Sequence, residues 1–465
     1  MKLPFNRVLT ASALASVSTF LLVSCGVTAA QNEPLEPVAG AKPAAETKAV
    51  AVVRSKMTLP RALWVWDATA ITNTAHGQEL FDFCAQKNIS VIYLSMGDIF
   101  SPTQREATDP KHVTAPVLGK FLAAAHAKKI EVEALDGDPV FALKDKHPEA
   151  LSRLQKALDY NKAAIANERL DGFQWDTEPY LLPEFKAGGE GQTSVFKQYL
   201  ESATQMRDAV KASPTLRLGY AIPAFFDEAN RSVEWNGTTK PVSFQLMDIL
   251  NTLPASYIAI MAYRDKALGV NGTVEISKGE VDYASKSAPK VKVWIGQETL
   301  DVKGDPPSIT FWQEGENALE LALGQIQDAY KDKPAVAGLA IHHWESYRNL
   351  KAGDPIAPVS VTGPITEALT IVAPKDGESV ARRMEVGGTA KPGGEAVKVE
   401  VSVKPQGDIW YSQGEVPIGA DGTWSVTCRF GNENTAVGSA FEVRAQLKKA
   451  DGSVVTEQIV KVKTN

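Results

Sequence analysis

A (β/α)8 TIM barrel followed by an all-β sandwich is the architecture that the sequence predicts, from three observations. Eight short apolar runs, starting near residue 60, alternate with longer stretches of helical spacing, which is the count and size of a closed parallel barrel. After Ala357 the helical spacing stops, and alternating strands with turn signals take over for roughly 100 residues. The chain has 465 residues, more than one ordinary domain needs.

The barrel strands are expected at Ala62–Trp66, Ser90–Met96, Lys129–Leu135, Leu170–Trp175, Arg217–Phe225, Tyr257–Tyr263, Lys292–Gly296 and Val336–Trp344. Between them, Phe196, Tyr199, Ala203, Met206 and Val210 share one helical face, as do Leu319, Leu323, Ile326 and Tyr330. Pro148 suits the first turn of the third helix, and Thr193 or Ser194 could cap the fourth. The last helix is weak and is placed at Tyr347–Ala352. A doubly wound open sheet would share this alternation, but no GxGxxG or GxxxxGK[ST] follows the first strand. Residues 58–360 are therefore assigned to the barrel and residues 366–465 to the sandwich. In the sandwich, Val397–Val403 and Phe441–Leu447 alternate, with turn signals at Asp421-Gly422 and Asp451-Gly452.

The N-terminus reads as an address. Lys2 and Arg7 precede an apolar run, Val8–Leu22, that is too short to span a bilayer, as in a secretory signal. The sequence Leu22-Val23-Ser24-Cys25 resembles the lipobox of bacterial lipoproteins. That resemblance implies removal of residues 1–24, acylation of Cys25 and attachment to the cell envelope. Gly26, which is not the Asp associated with inner-membrane retention, favours the outer membrane or cell surface. Residues 25–57, rich in Ala, Pro, Glu and Lys, read as a disordered tether. TIVAPKDGESV and DGTWSV resemble bacterial immunoglobulin-like modules appended to surface enzymes.

Composition narrows the function. Hydrophobic residues make up 44% and charged residues 22%, which excludes a wholly disordered chain or a polytopic membrane protein. The net charge of −6, with no basic stripe, argues against nucleic acid. Three cysteines, with Cys84 and Cys428 in different domains, form neither a disulfide scaffold nor a Cys-rich zinc site. No GxSxG elbow marks an esterase. No cofactor or metal is expected, and a monomer is.

The chemistry should lie where the barrel strands end. Strand four ends Leu170-Asp171-Gly172-Phe173-Gln174-Trp175-Asp176-Thr177-Glu178-Pro179-Tyr180, and alternation puts Gln174, Asp176 and Glu178 on one face. Two adjacent carboxylates resist double ionisation, so one pKa rises and a general acid is prepared. An ion pair with a neighbouring Lys or Arg is the bland alternative.

DGFQWDTE resembles the DxxDxDxE signature of family 18 glycoside hydrolases, the chitinase-like barrels. It matches at Asp171, Asp176 and Glu178 and departs at Gln174, where the family has Asp. The resemblance implies that Glu178 protonates the leaving oxygen and that Asp176 orients the substrate acetamido group, which attacks as nucleophile. Met261-Ala262-Tyr263-Arg264-Asp265 is similar to the family's MxYD with one residue inserted, so Tyr263 would contact the acetamide, with Asp265 displaced. The implied function is cleavage of a polysaccharide or glycan at an N-acetylhexosamine. Gln174 in place of the acid also leaves open a noncatalytic carbohydrate-binding lipoprotein.

Strand seven ends Trp294-Ile295-Gly296-Gln297-Glu298-Thr299. Glutamates closing strands four and seven resemble the large retaining glycosidase clan, which would make Glu178 the acid/base and Glu298 the nucleophile. Tyr180 and Trp344 are candidate sugar-stacking residues. Trp66 and His342 face the same rim, where Asp67, Asp136 and Asp138 are further polar candidates. His342, His343 and Glu345 suggest a metal only at first glance, because adjacent strand residues point apart. The excess acidity lies in the barrel, which favours neutral or cationic glycans over strongly anionic ones.

Overall fold

The computed structural model describes residues 57–96, 99, 113–269, 271–302, 307–353, 365, 367–391, 396–419, 422–432 and 434–465. The expected signal sequence, Cys25 and the expected tether up to residue 56 lie outside the described residues. Strands β1 (Arg61–Val65), β2 (Ile89–Ser95), β3 (Glu131–Asp136), β4 (Gly172–Trp175) and β5 (Arg217–Pro223) are followed by a hairpin, β6 (Ser232–Trp235) and β7 (Thr238–Pro241). Then come β8 (Ser256–Met261), β9 (Val291–Glu298) and β10 (Val336–His342). Leaving out the hairpin, they close in the order β1-β10-β9-β8-β5-β4-β3-β2, with parallel pairing throughout. This is the (β/α)8 barrel.

Local sequence explains the elements. Helix α1 (Thr74–Lys87) starts at Asn73, whose side chain accepts from the Ala75 and His76 amides, and stops at Asn88 in the left-handed conformation. Helix α2 (Ala115–Ala127) and helix α3 (His147–Ala163) each carry proline in the first turn. Helix α4 (Gly189–Ala212) buries Phe196, Tyr199, Ala203, Met206 and Val210. It begins at Gly188, not at a Thr193 or Ser194 cap, and the Thr193 hydroxyl donates to the Gly189 carbonyl inside it. Helix α5 (Val242–Leu250), helix α6 (Lys278–Lys286) and helix α7 (Glu316–Tyr330) complete the ring, with Leu319, Leu323, Ile326 and Tyr330 buried. The final helix is the single turn Trp344–Tyr347, earlier than expected.

Strand alternation divides the apolar residues. Leu63, Val65, Ile92, Leu94, Ile258 and Ile260 pack outward against the helices. Ala62, Trp64, Val91, Tyr93, Leu135, Tyr257, Ala259 and Trp294 fill the lumen. Trp64, Gln174, Tyr257 and Glu133 are paired in series across the lumen. The Trp64 indole donates to Gln174 Oε1 (2.7 Å), Gln174 Nε2 donates to the Tyr257 hydroxyl (3.1 Å), and that hydroxyl donates to Glu133 (2.5 Å). Arg217 closes the series on Glu133 at 2.7 Å. A buried carboxylate without such partners would be untenable.

The second region is all-β. One sheet orders β11 (Leu369–Ala373), β13 (Arg383–Ala390) and β16 (Thr423–Arg429); β12 (Ser379–Val380), β18 (Val454–Thr464), β17 (Ala440–Lys449), β14 (Ala396–Lys404) and β15 (Tyr411–Pro417) make the other. Their inner faces share one apolar core, including Val386, Val401, Trp424, Val426, Phe441 and Cys428. Cys84 and Cys428 are both buried and unbridged. Among the described residues no helix is long and apolar enough to cross a membrane.

Candidate active site

The barrel opens at the strand ends into a cleft of about 580 Å³. Glu178 and Tyr180 after β4, Phe225, Asp227 and Glu228 after β5, Met261, Tyr263 and Arg264 from the end of β8, and Glu298 at the end of β9 line it.

Glu178 reaches the cleft through an unusual backbone. Strand β4 stops at Trp175, and Glu178 stands at φ 48°, ψ 52°, a left-handed conformation that costs a non-glycine residue roughly 1–2 kcal/mol. The turn brings the Tyr180 hydroxyl onto Glu178 Oε1, to which it donates. Tyr180 is fixed edge-on against Phe225 and Phe226. Gly137 makes the approach of this segment possible, because a Cβ there would stand 1.9 Å from the Asp176 carbonyl oxygen.

Asp176 sits beside Glu178 with its Oδ1 buried and without a hydrogen-bond partner. Burial first, and then the charge of Glu178, push its pKa well above the ordinary carboxylate value. Burial also raises the Tyr263 hydroxyl, with further contributions from Glu298, Asp176, Glu178 and Tyr180. These groups thus share one field. Asp227 is raised to about 6 by burial and by neighbouring Glu228.

Glu298 is fully engaged. Its Oε1 accepts from the Thr299 and Leu300 amides (2.8 and 2.7 Å), and its Oε2 lies 2.8 Å from His342 Nδ1. The Trp66 indole, which can only donate, bonds His342 Nε2 at 2.9 Å. His342 is therefore the Nδ1–H tautomer and donates to Glu298. Trp66, 41% exposed, reaches the rim through this bond.

Three sequence candidates are placed elsewhere. Gln174 is fully buried in the lumen series and bonds neither Asp176 nor the cleft, because both ends of its amide are satisfied by Trp64 and Tyr257. Trp344 is 1% exposed; strand β10 ends at His342, and the following turn packs Trp344 between His76 and the Arg348 guanidinium, outside the barrel. Asp265 faces the sandwich, 3.1 Å from Arg429, because β8 ends at Met261 and the chain turns away. Of the other rim acids, Asp136 pairs with Arg153, Asp138 caps Val140, and Asp67 bonds the Thr69 amide. His342 and His343 touch edge to face at 4.6 Å instead of pointing apart, yet each bonds its own glutamate. No group of His, Cys, Asp or Glu among the described residues is arranged to hold a metal.

Sequence reasoning missed Asp227, Glu228, Arg264, Asn271 and Glu275, which line the cleft from the loops after β5 and β8. Loop position was the available signal, since connections at this end of a barrel carry its sites.

No protein-family model and no curated protein matches the chain. Similar solved structures include a GH18 chitinase from Pseudoalteromonas aurantia, with 11% sequence identity over 62% of this chain and 96% of that one (TM-score 0.39). The GH39 enzyme from Xanthomonas axonopodis pv. citri has 13% identity over 82% and 93% (TM-score 0.40). A sugar phosphate isomerase/epimerase from Parabacteroides distasonis has 9% identity over 65% and 93% (TM-score 0.37). At such identities the likeness concerns the course of the backbone, which the closed strand order already establishes.

Proposed function

We propose that the protein is a glycoside hydrolase in which Glu178 delivers a proton to the leaving glycosidic oxygen. The observation that carries this reading is the Asp176–Glu178 pair: a buried carboxyl with a partnerless oxygen and a raised pKa beside a carboxyl that lines an open cleft. Two neighbouring carboxyls resist double ionisation, and Glu178 is the member of the pair that lines the cleft. Asp176 would then orient the acetamido group of an N-acetylhexosamine, with Tyr263 alongside. No metal or cofactor enters this scheme. The protein acts as a monomer, held at the bacterial cell envelope by a lipid on Cys25, with an immunoglobulin-like module as its accessory domain.

A second reading is favoured by Glu298, which lines the same cleft as an acceptor held by three donors and would in that reading attack the anomeric carbon directly. A thiazoline inhibitor, which mimics the cyclised acetamide, separates the two. Strong inhibition is expected if Asp176 assists; no inhibition, together with an inactive Glu298→Ala, would transfer the role to Glu298.

The cleft sets a substrate preference. Glu178, Asp227, Glu228, Glu275 and Glu298 face it against one cation, Arg264, among the described residues. Initial rates on chitin, peptidoglycan, N-glycans, galactosaminoglycans and sulfated chains are expected to favour neutral or amine-bearing polymers. Equal rates on heavily sulfated chains would contradict the electrostatic reading, and no turnover on any glycan would sink the hydrolase.

A further inference from the structure

We propose that Arg383 and Arg429 of the sandwich are positioning residues for the barrel cleft: they clamp the segments that follow β8 and β9, and so set where Tyr263 and Glu298 stand. The kinetic side of this rests on the glycosidase reading, whereas the structural side does not.

Two lines of contact converge on the arginines. The first leaves β8. Asp265 follows Tyr263 by two residues; Arg429 Nη2 lies 3.1 Å from its Oδ2, and Arg383 Nη2 donates to its carbonyl oxygen. Between them Arg264 turns into the cleft and donates to the Tyr263 carbonyl at 2.7 Å. The second line leaves β9. The Phe311 amide donates to the Glu298 carbonyl (2.9 Å), and the Thr310 hydroxyl donates to that of Leu300 (2.7 Å). Farther along the same segment, Glu314 accepts from Arg429 and lies 3.7 Å from Arg383 Nη1. The Asp265 amide donates to the Ser308 carbonyl at 2.9 Å and ties the two lines together.

One layer of chain therefore separates two cavities. Arg264 and Ile309 line the cleft, while their neighbours Asp265 and Ser308 line a groove of about 650 Å³ on the sandwich side. The docking is close: a Cβ on Gly269, after β8, would stand 2.3 Å from the Gly414 Cα of β15. Both glycines have positive φ, +86° and +151°, so the contact is matched in backbone as well as in space.

The cluster is better suited to geometry than to stability. The side chains of Asp265 and Glu314 are 9% and 5% exposed and that of Arg429 is 42% exposed, so the attraction is screened on one side while two carboxylates are desolvated, and the pairs return little net stability. The arginine fork is directional and fixes where its partners lie. An error of about 1 Å in a catalytic group costs up to roughly 100-fold in rate.

The test is hydrogen exchange of the full chain, comparing wild type with Arg383→Gln/Arg429→Gln. Amides in peptides 259–267 and 296–302 are expected to exchange faster, with peptides over β1 to β4 unchanged. On a glycan that the wild type cleaves, kcat should fall roughly 10- to 100-fold with KM little changed, and Arg429→Lys, which keeps the charge but not the fork, should retain only part of the rate. Glu457→Gln, on the distant strand β18, is the control and should leave both peptides unaltered. If the double variant fails to fold, Glu314→Gln is read the same way. Unchanged exchange in both peptides of a folded variant overturns the clamp. A wild type that cleaves no glycan overturns the hydrolase reading alone and leaves exchange to decide the clamp.

Discussion

Glu178→Gln is expected to lower turnover by about 10²–10⁴-fold while leaving glycan affinity nearly unchanged. The substitution keeps side-chain length and an Oε1 that can still accept from the Tyr180 hydroxyl, so the turn that presents residue 178 should persist. What it removes is the proton that a poor leaving group needs in the transition state. The loss should therefore depend on the leaving group. A glycoside with a dinitrophenyl aglycone departs without protonation and should recover much of the wild-type rate, whereas an alkyl or sugar leaving group should not. Measuring kcat on both substrates and Kd by calorimetry separates a lost acid from a distorted site. Unchanged turnover on the poor leaving group would remove Glu178 from the acid role.

The alternation of β4 was legible in the sequence, and Gln174 does lie in the lumen with Trp64 and Tyr257. Alternation has no authority beyond Trp175, where the strand ends, and Glu178 enters the cleft through a left-handed residue that no periodicity encodes. The same limit explains Asp265 and Trp344. Both stand past the last residue of a strand, at Met261 and His342, and each is drawn away by a partner that local spacing cannot reveal. Asp265 goes to Arg429 of the sandwich and Trp344 to His76 of α1. The hairpin between β5 and β8 had a readable signal in Asn236-Gly237, a turn pair with positive φ at both residues. The helical stripes of α4 and α7 were read correctly because a buried face repeated over several turns dominates local propensity. A barrel core is thus written in periodicity, whereas its site is written in the loops, where each residue answers to tertiary neighbours.

Asp176→Asn should act on stability and on turnover in opposite directions. The folded state raises the Asp176 pKa above its ordinary 3.8, through burial first and the Glu178 charge second. A carboxyl with a raised folded pKa contributes its full stability below the unfolded value, and that contribution is lost as pH rises through the folded value. At neutral pH the wild type therefore carries a penalty for keeping this group buried beside Glu178. Asparagine has nearly the same shape and no charge to bury. The variant's Tm should exceed that of the wild type at neutral and mildly alkaline pH, by roughly 1–2 °C for each kcal/mol regained, and the two should converge towards pH 4. Turnover should fall by about 10²-fold or more, because an amide can neither share the pair's proton nor polarise an acetamide as a carboxylate does. A buried carboxyl that destabilises the fold and is needed for rate is the expected mark of a site under stability–activity trade-off. Calorimetric scans of both proteins from pH 4 to pH 9 make the comparison. A Tm difference independent of pH would mean that Asp176 titrates alike in the folded and unfolded chains, and the shared-proton pair would lose its physical basis.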